Sequence, residues 1–336
     1  VPGFDAIIDQ ERSIRILTSL LTSRSIPHGL LFTGIDGVGK RTAATAFAMA
    51  CNCTGARVEE RGEACGECAA CRRIAAGRHP DVLKVSPSGL QIKIDQIRSL
   101  CQSLAMKPYE ARMRVAIVAE AQRMNPAAGN ALLKMLEEPP DRTVLILTAP
   151  QTADLLPTIV SRCQHIRFKP IARHHLAAML AAAYGFSPEE ARLTATLANG
   201  SVTRALAMQR RGWIQRRKWI LSEMAGLAQR PITALLALAE KSSQAKEDIP
   251  EMLELMAAWV RDVAVARYCP DRIIHQDWAG PILDASRRSD PVDLIRADRA
   301  IEEARRRIRA NSNPRLTLEG LWLNLAAAAG RTRVAG

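Results

Sequence analysis

The feature that most constrains this chain is Gly34-Ile35-Asp36-Gly37-Val38-Gly39-Lys40. It lies between the apolar run Leu30-Leu31-Phe32-Thr33 and the small-residue stretch from Thr42 to Ala50. Gly34, Gly39 and Lys40 fit the phosphate-loop spacing of Gly, four residues, Gly-Lys. Glycines, Gly37 among them, let the backbone curl so that successive N–H groups face an anion. A following helix adds partial positive charge at its N-terminus, and the lysine reaches the outer phosphates. A buried strand, a tight turn and a helix are therefore expected in that order.

One position departs from the pattern. The residue after the lysine is normally Ser or Thr, whose hydroxyl holds Mg²⁺. Here it is Arg41, and Thr42 comes one place late. One residue is a rotation of about 100° on a helix, so Thr42 does not simply replace the missing hydroxyl. A second departure lies in Arg114-Val115-Ala116-Ile117-Val118-Ala119-Glu120. A second strand of this kind normally ends in Asp-Glu, with the Asp ordering Mg²⁺ and the Glu positioning water. Here Ala119 replaces the Asp and Glu120 remains, as a vestige. Val144-Leu145-Ile146-Leu147-Thr148 reads as another buried strand, and Thr148 at its end faces a γ-phosphate or simply ends the strand.

The most specific segment is Cys51-Asn52-Cys53, eleven residues, then Cys65-Gly66-Glu67-Cys68-Ala69-Ala70-Cys71. Three thiols at two-residue gaps, with a fourth upstream, suit tetrahedral zinc. Cys65, Cys68 and Cys71 are three ligands; Cys51 or Cys53 supplies the fourth, with Cys53 preferred. Four thiolates close the coordination shell, so the metal is structural, folding an insert too poor in apolar residues to fold alone. His79 is a nearby competitor but reads as a turn residue.

Around these motifs, Ile14, Leu17, Leu20 and Leu21 mark one face of a first helix. Val82 to Val85 reads as a strand, and a helix enters through Asp95 as N-cap. Another follows Met124-Asn125 up to Pro139-Pro140, and Ile166-Arg167-Phe168 is a last strand. Alternating strands and helices make roughly the first 165 residues an α/β layer with a parallel sheet. Pro170 to Met208 reads as a small helical lid, in which His174 and His175 are exposed. Beyond Gly212 the pattern is all-helical, with candidates at Trp213 to Leu227, Ile232 to Ser242, Ile249 to Tyr268, Pro291 to Arg309 and Leu316 to Ala329; Asp290 before Pro291 suits an N-cap.

Net charge is +13 across 336 residues, compatible with nucleic acid or an acidic partner. Aromatics make up 4%, so aliphatic residues must fill the cores. There is no apolar run of about 18 residues and no secretory leader, so a soluble, cytoplasmic protein with no membrane partner is expected.

The phosphate loop, the cysteine insert, Gly77-Arg78-His79-Pro80-Asp81, Asn130 to Pro140 and Ser161-Arg162-Cys163 stand in the order found in bacterial clamp loaders. The chain resembles these AAA+ proteins of the DNA polymerase III holoenzyme, densely over residues 1–170 and more thinly beyond. Within them it looks like the delta-prime branch. It lacks the Tyr-Arg-Pro start usual in gamma/tau, and its altered metal-ordering positions match a branch that in many bacteria does not hydrolyse ATP.

The resemblance implies an AAA+ domain over 1–168 with a zinc module near 51–73, a lid over 169–211 and a helical collar over 212–336. It implies a stator in a heteropentamer with delta and gamma/tau, placing the sliding clamp on primed DNA. Arg162 matches the arginine finger that enters a neighbour's ATP site. Arg204, or Thr203 if the pattern is offset by one, matches a lid residue that touches nucleotide. Passive ATP binding through Lys40 stays open. Two other readings remain: an active ATPase of gamma/tau type using Thr42, and a zinc-bearing nucleoside phosphate kinase.

Overall fold

The computed structural model describes residues 3–55, 61–210, 212–310 and 312–329. The chain divides into two compact units, with the boundary between Leu206 and Ala207.

The first unit begins with α1 (Glu11–Thr22), β1 (Gly29–Thr33) and α2 (Lys40–Asn52). It continues through α3 (Ala69–Ala75), β2 (Val82–Val85), α4 (Ile94–Ala105), β3 (Arg114–Val118), α5 (Pro126–Glu137) and β4 (Thr143–Ala149). Then come the short α6 (Pro157–Val160), β5 (Gln164–Arg167), α7 (Arg173–Tyr184) and α8 (Pro188–Leu197), followed by α9 (Val202–Arg210). The five strands form one parallel sheet in the order β2-β3-β4-β1-β5.

Strands β1, β3 and β4 are buried along their whole length. That is why they read as continuous Leu/Ile/Val runs: a parallel sheet covered on both faces has no solvent side to alternate with. Their side chains alternate between two cores. Leu30, Phe32, Val115, Ile117, Val144 and Ile146 face a core shared with α1 and α2. Leu31, Ala116, Val118, Leu145 and Leu147 face one shared with α4 and α5. Each fully buried Leu or Phe adds about 1.5–3 kcal/mol, so the aliphatic sheet carries the fold despite few aromatics.

Three local details refine the sequence reading. Asp95 is not the cap of its helix: α4 begins at Ile94, and Asp95 lies in the first turn. The Lys93 N–H donates instead to Gln96 Oε1 at 3.0 Å. Strand β5 starts at Gln164, two residues earlier than the apolar run suggested. Asn125 does cap α5, accepting from the Ala128 N–H at 2.8 Å.

Residues 171–205 build a third small core of Ile171, Leu176, Leu180, Phe186, Ala191 and Ala195, against which Ile8 packs. The N-terminal segment is tied to it by polar bonds. Gln10 exchanges two bonds with the Lys169 backbone at 2.7 and 2.9 Å. Asp9 accepts from the Ala172 N–H at 2.7 Å and pairs with His175 Nδ1 at 2.6 Å.

The second unit is helical among its described residues: α10 (Trp213–Gly226), α11 (Ile232–Ser243), α12 (Ile249–Ala266), α13 (Ala279–Arg288), α14 (Pro291–Arg309) and α15 (Pro314–Ala329). Asp290 caps α14, accepting from the Val292 N–H. The sequence reading missed α13, because only Ile282 and Ser286 of its ten residues are fully buried. Trp213, Trp259 and Trp322 centre the core. Inside it, Arg217 grips Asp277 through two bonds of 2.6 and 2.7 Å. The buried Asp262 accepts from the backbone of Ile274 and His275 and from the His275 ring, each at 2.8 Å. Among the described residues, no helix is long and apolar enough to cross a membrane.

Candidate functional site

The register of the sheet assembles the site. Phe32 pairs with Thr148, and Val118 with Leu147, so Gly34, Ala119 and Thr148 meet at the carboxyl edge of neighbouring strands. Open parallel sheets bind ligands at that edge. The loop from Gly34 to Gly39 leaves β1 there and feeds α2.

Two glycines are required by close approach. A methyl at Gly34 would stand 2.5 Å from the Phe168 carbonyl oxygen, and one at Gly37 would stand 2.5 Å from the Thr203 nitrogen. Both residues also have positive φ, 143° and 81°. The Gly37 carbonyl in turn accepts from the Val202 N–H at 3.1 Å.

The cavity at this loop measures about 470 Å³. Residues 36–42, Glu120 and Thr148 line one side; Ile7, Tyr184 and Thr203 line another. Lys40, buried, folds back onto the loop. Its Nζ donates to the carbonyls of Gly34 and Ile35 and lies 3.4 Å from Asp36 Oδ1. Burial lowers the lysine pKa, against the opposing pull of Asp36 and Glu120.

Arg41 lines the cavity at the position where the phosphate-loop pattern has a hydroxyl residue. At the end of β3 stands the buried methyl of Ala119. Neither supplies an oxygen donor, so the Mg²⁺ that accompanies such loops does not fit this site as the pattern requires. Glu120, at φ 55°, pairs with Arg123 at 3.0 Å, and its N–H donates to Thr148 Oγ1 at 3.1 Å.

The structure therefore brings Gly37, Gly39, Lys40, Arg41, Thr42, Glu120 and Thr148 to one cavity. In the lid segment it is Thr203 that lines the cavity; Arg204 follows and is not a lining residue. Sequence reasoning missed the wall built by Ile7 and Tyr184. The apolar Phe4-Asp5-Ala6-Ile7-Ile8 before α1 was its only visible signal.

Arg162 stands outside this cavity, after α6. It pairs with Glu137 at 2.7 Å, and its guanidinium donates to the Thr158 carbonyl at 3.1 Å. Both ion-pair partners are substantially exposed, at 36% and 50%, so the contact is weak and the guanidinium can be redirected.

The second constellation is the cysteine insert. The Sγ atoms of Cys53, Cys65, Cys68 and Cys71 lie within 4.8 Å of one another. A tetrahedral site with metal–sulfur bonds of about 2.3 Å has edges of about 3.8 Å, within that bound. Backbone N–H groups point at the sulfurs: Gly55 and Cys65 at Cys53, Cys68 at Cys65, and Cys71 at Cys68, at 3.3–3.4 Å. Such bonds favour thiolate. They draw Cys65 down; in Cys68 they outweigh burial and bring the thiol to about 6. The four residues could hold a metal ion. Cys53, not Cys51, completes the set by position; burial pushes the thiols of Cys51, Cys53 and Cys71 up alike. His79 is elsewhere engaged, its Nδ1 accepting from the Asp81 N–H at 3.2 Å. Asp81 in turn accepts from the N–H groups of Tyr109, Glu110 and Ala111, each at 2.9 Å, pinning that loop to the start of β2.

Comparison with known proteins bears on the whole chain. A family profile described as "DNA polymerase III, delta subunit" matches residues 9–172. The chain is 30% identical to DNA polymerase III subunit delta' of Bacillus subtilis, over 94% of its own length and 96% of the relative's. It is 36% identical to DNA polymerase III subunit tau of the same organism, over 50% of this chain and 29% of that one. Among solved structures, a gamma subunit-related protein of Thermotoga maritima is similar at 20% identity and a TM-score of 0.47, over 96% of this chain and all of that one. With 30% identity to the Bacillus subtilis delta' subunit running through nearly the full length of both chains, this protein belongs to the delta' family of DNA polymerase III clamp-loader subunits.

Proposed function

We propose that this chain is a non-hydrolysing stator of the clamp loader: it keeps the nucleotide fold for shape and lends Arg162 to a neighbouring gamma/tau ATP site. The observation that carries the reading is the pairing of an intact cradle with absent metal anchors. Lys40 and the glycine loop are in place, whereas Arg41 and Ala119 occupy the two positions that should order Mg²⁺. Each loss alone is tolerable; together they argue against hydrolysis by this chain.

Arg162 fits the donor role. A guanidinium fork neutralises charge building on a γ-phosphate, and here it is held by an exposed carboxylate, one carbonyl and a long contact to the Ser161 hydroxyl. The family relation supports gamma/tau as partner; delta, the sliding clamp and primed DNA follow from the same reading. In it, residues 1–168 are the AAA+ domain, 169–211 the lid and 212–336 the collar through which the ring assembles. The cysteine cluster holds one structural Zn²⁺, for which its four thiolates and aimed N–H groups are chemically suited.

Reconstitution with delta and gamma/tau tests this. Arg162→Ala should enter the complex normally yet slow its ATP hydrolysis, by on the order of 10³-fold at each site it serves. An unchanged rate refutes the finger; failure of the wild-type chain to join any such complex refutes the stator.

A further inference from the structure

The two substitutions that remove the Mg²⁺ anchors also change the charge of the site, by a specific amount. Replacing a neutral hydroxyl residue by Arg41 adds one positive charge. Replacing an Asp by Ala119 removes one negative charge. The sum is two units, the charge that a bound Mg²⁺ would bring.

The geometry puts that charge in the right place. Arg41 lines the phosphate cavity and also a second one of about 290 Å³, whose wall includes Ala119, Lys84, Thr42 and Ser86. Ala119 thus leaves room beside the loop instead of a carboxylate. Partial burial and the nearby Arg41 charge both pull the Lys84 pKa down, which marks two cations facing the same space. Among the described residues, no carboxylate is in ion-pair contact with Arg41 or Lys84. The acidic groups lining the phosphate cavity are Asp36 and Glu120, and each already has a cation, Lys40 and Arg123.

We propose that this site binds a nucleoside di- or triphosphate without a divalent cation, with the Arg41 guanidinium, backed by Lys84, taking the place of Mg²⁺ at the outer phosphates. This rests on the non-hydrolysing reading and deepens it. A guanidinium satisfies phosphate oxygens bidentately but activates no water, so nucleotide would be held and not turned over. It would brace the loop, α2 and the Thr203 end of the lid segment as a structural ligand.

The test is ATP binding to the full-length chain by calorimetry, in excess EDTA and in excess Mg²⁺. The inference predicts binding in EDTA at least as tight as in Mg²⁺, because the protein carries the charge that the metal would supply and a metal on the phosphates competes with Arg41. Arg41→Ser should weaken binding in EDTA by about ten-fold or more, the loss expected for a charge-assisted bidentate contact. The double variant Arg41→Ser/Ala119→Asp should bind only when Mg²⁺ is present. Arg41 is exposed, so folding is not at stake in the single variant, and a retained zinc content checks it. No binding in either buffer overturns this inference and leaves the stator standing. Binding that EDTA abolishes in the wild-type chain also overturns it. EDTA-sensitive binding accompanied by turnover overturns the stator as well.

Discussion

Helix α2 carries one constellation at each end, and the two have been treated in opposite ways. At its N-terminus the phosphate cradle has its glycines and lysine in place but carries Arg41 and Ala119 at the two positions where the pattern puts metal-ordering oxygens. At its C-terminus, where Cys53 caps the helix, four sulfur donors remain gathered around a segment with little apolar core of its own. The ends are about 20 Å apart along thirteen residues. The difference teaches what each group is for. A cradle built from glycines also packs closely against Phe168 and Thr203, so on the proposed reading it serves as architecture without turning nucleotide over. Cys53 and Cys71 also help fill the core shared with α1 and α2, but packing alone does not require four sulfurs to converge; on the proposed reading a metal does.

The largest expected effect separates the ends directly. Removing metal from the cysteine end, by Cys71→Ala or by chelation under mild denaturant, should unfold the insert; structural zinc in small modules carries apparent binding energies on the order of 10 kcal/mol. Metal analysis should fall from about one zinc per chain to none, and amide exchange should rise around Cys65 to Ala75. Metal removal should leave exchange in the phosphate loop unchanged. Equal loosening at both ends would erase the contrast.

Next in size is Ala119→Asp alone. It places a carboxylate at a site only 4% exposed, so urea unfolding should show a loss of about 1–3 kcal/mol. A neutral result would mean that Arg41 and Lys84, which line the same cavity, offset the buried carboxylate.

Acid titration gives a smaller effect, common to both units. Asp81 and Asp262 are buried, which raises a carboxyl pKa, but their backbone and histidine partners outweigh this and hold both below the ordinary carboxylate value. Asp277, held by Arg217, behaves likewise. A depressed folded pKa means the stabilisation is fully present above about pH 3.9 and is lost as pH falls through the lower folded value. These three carboxylates should therefore not move the urea midpoint between pH 7 and about pH 4 and should lower it below that, and Asp262→Asn should flatten that drop.

Smallest is the stability change for Arg162→Ala. An exposed ion pair contributes about 0–1 kcal/mol, so its thermal midpoint should barely move even though the assembled loader slows. A large destabilisation would recast Arg162 as a structural residue.

Much of this was legible in the sequence, for physical reasons. Strands buried on both faces write themselves as apolar runs, which is how β1, β3 and β4 could be read. The phosphate loop, the altered positions 41 and 119, and the cysteine spacing are local patterns, and the structure gathers Cys53, Cys65, Cys68 and Cys71 as the spacing suggested. What was not legible is long-range. Ile7 and Tyr184 reach the cavity only because Asp9 and Gln10 tie the N-terminal segment to residues 169–175. Asp95 looked like a cap because it precedes an apolar run, but the Gln96 side chain satisfies the helix entry instead. Helix α13 escaped notice because its buried face is narrow.

The central claim is that an anion cradle without its magnesium anchors serves as scaffold. Phosphate release from ATP by the isolated chain, with and without primed DNA, tests it most directly. The account predicts no release above background and no change on Lys40→Ala. Brisk release that disappears with that substitution would contradict it.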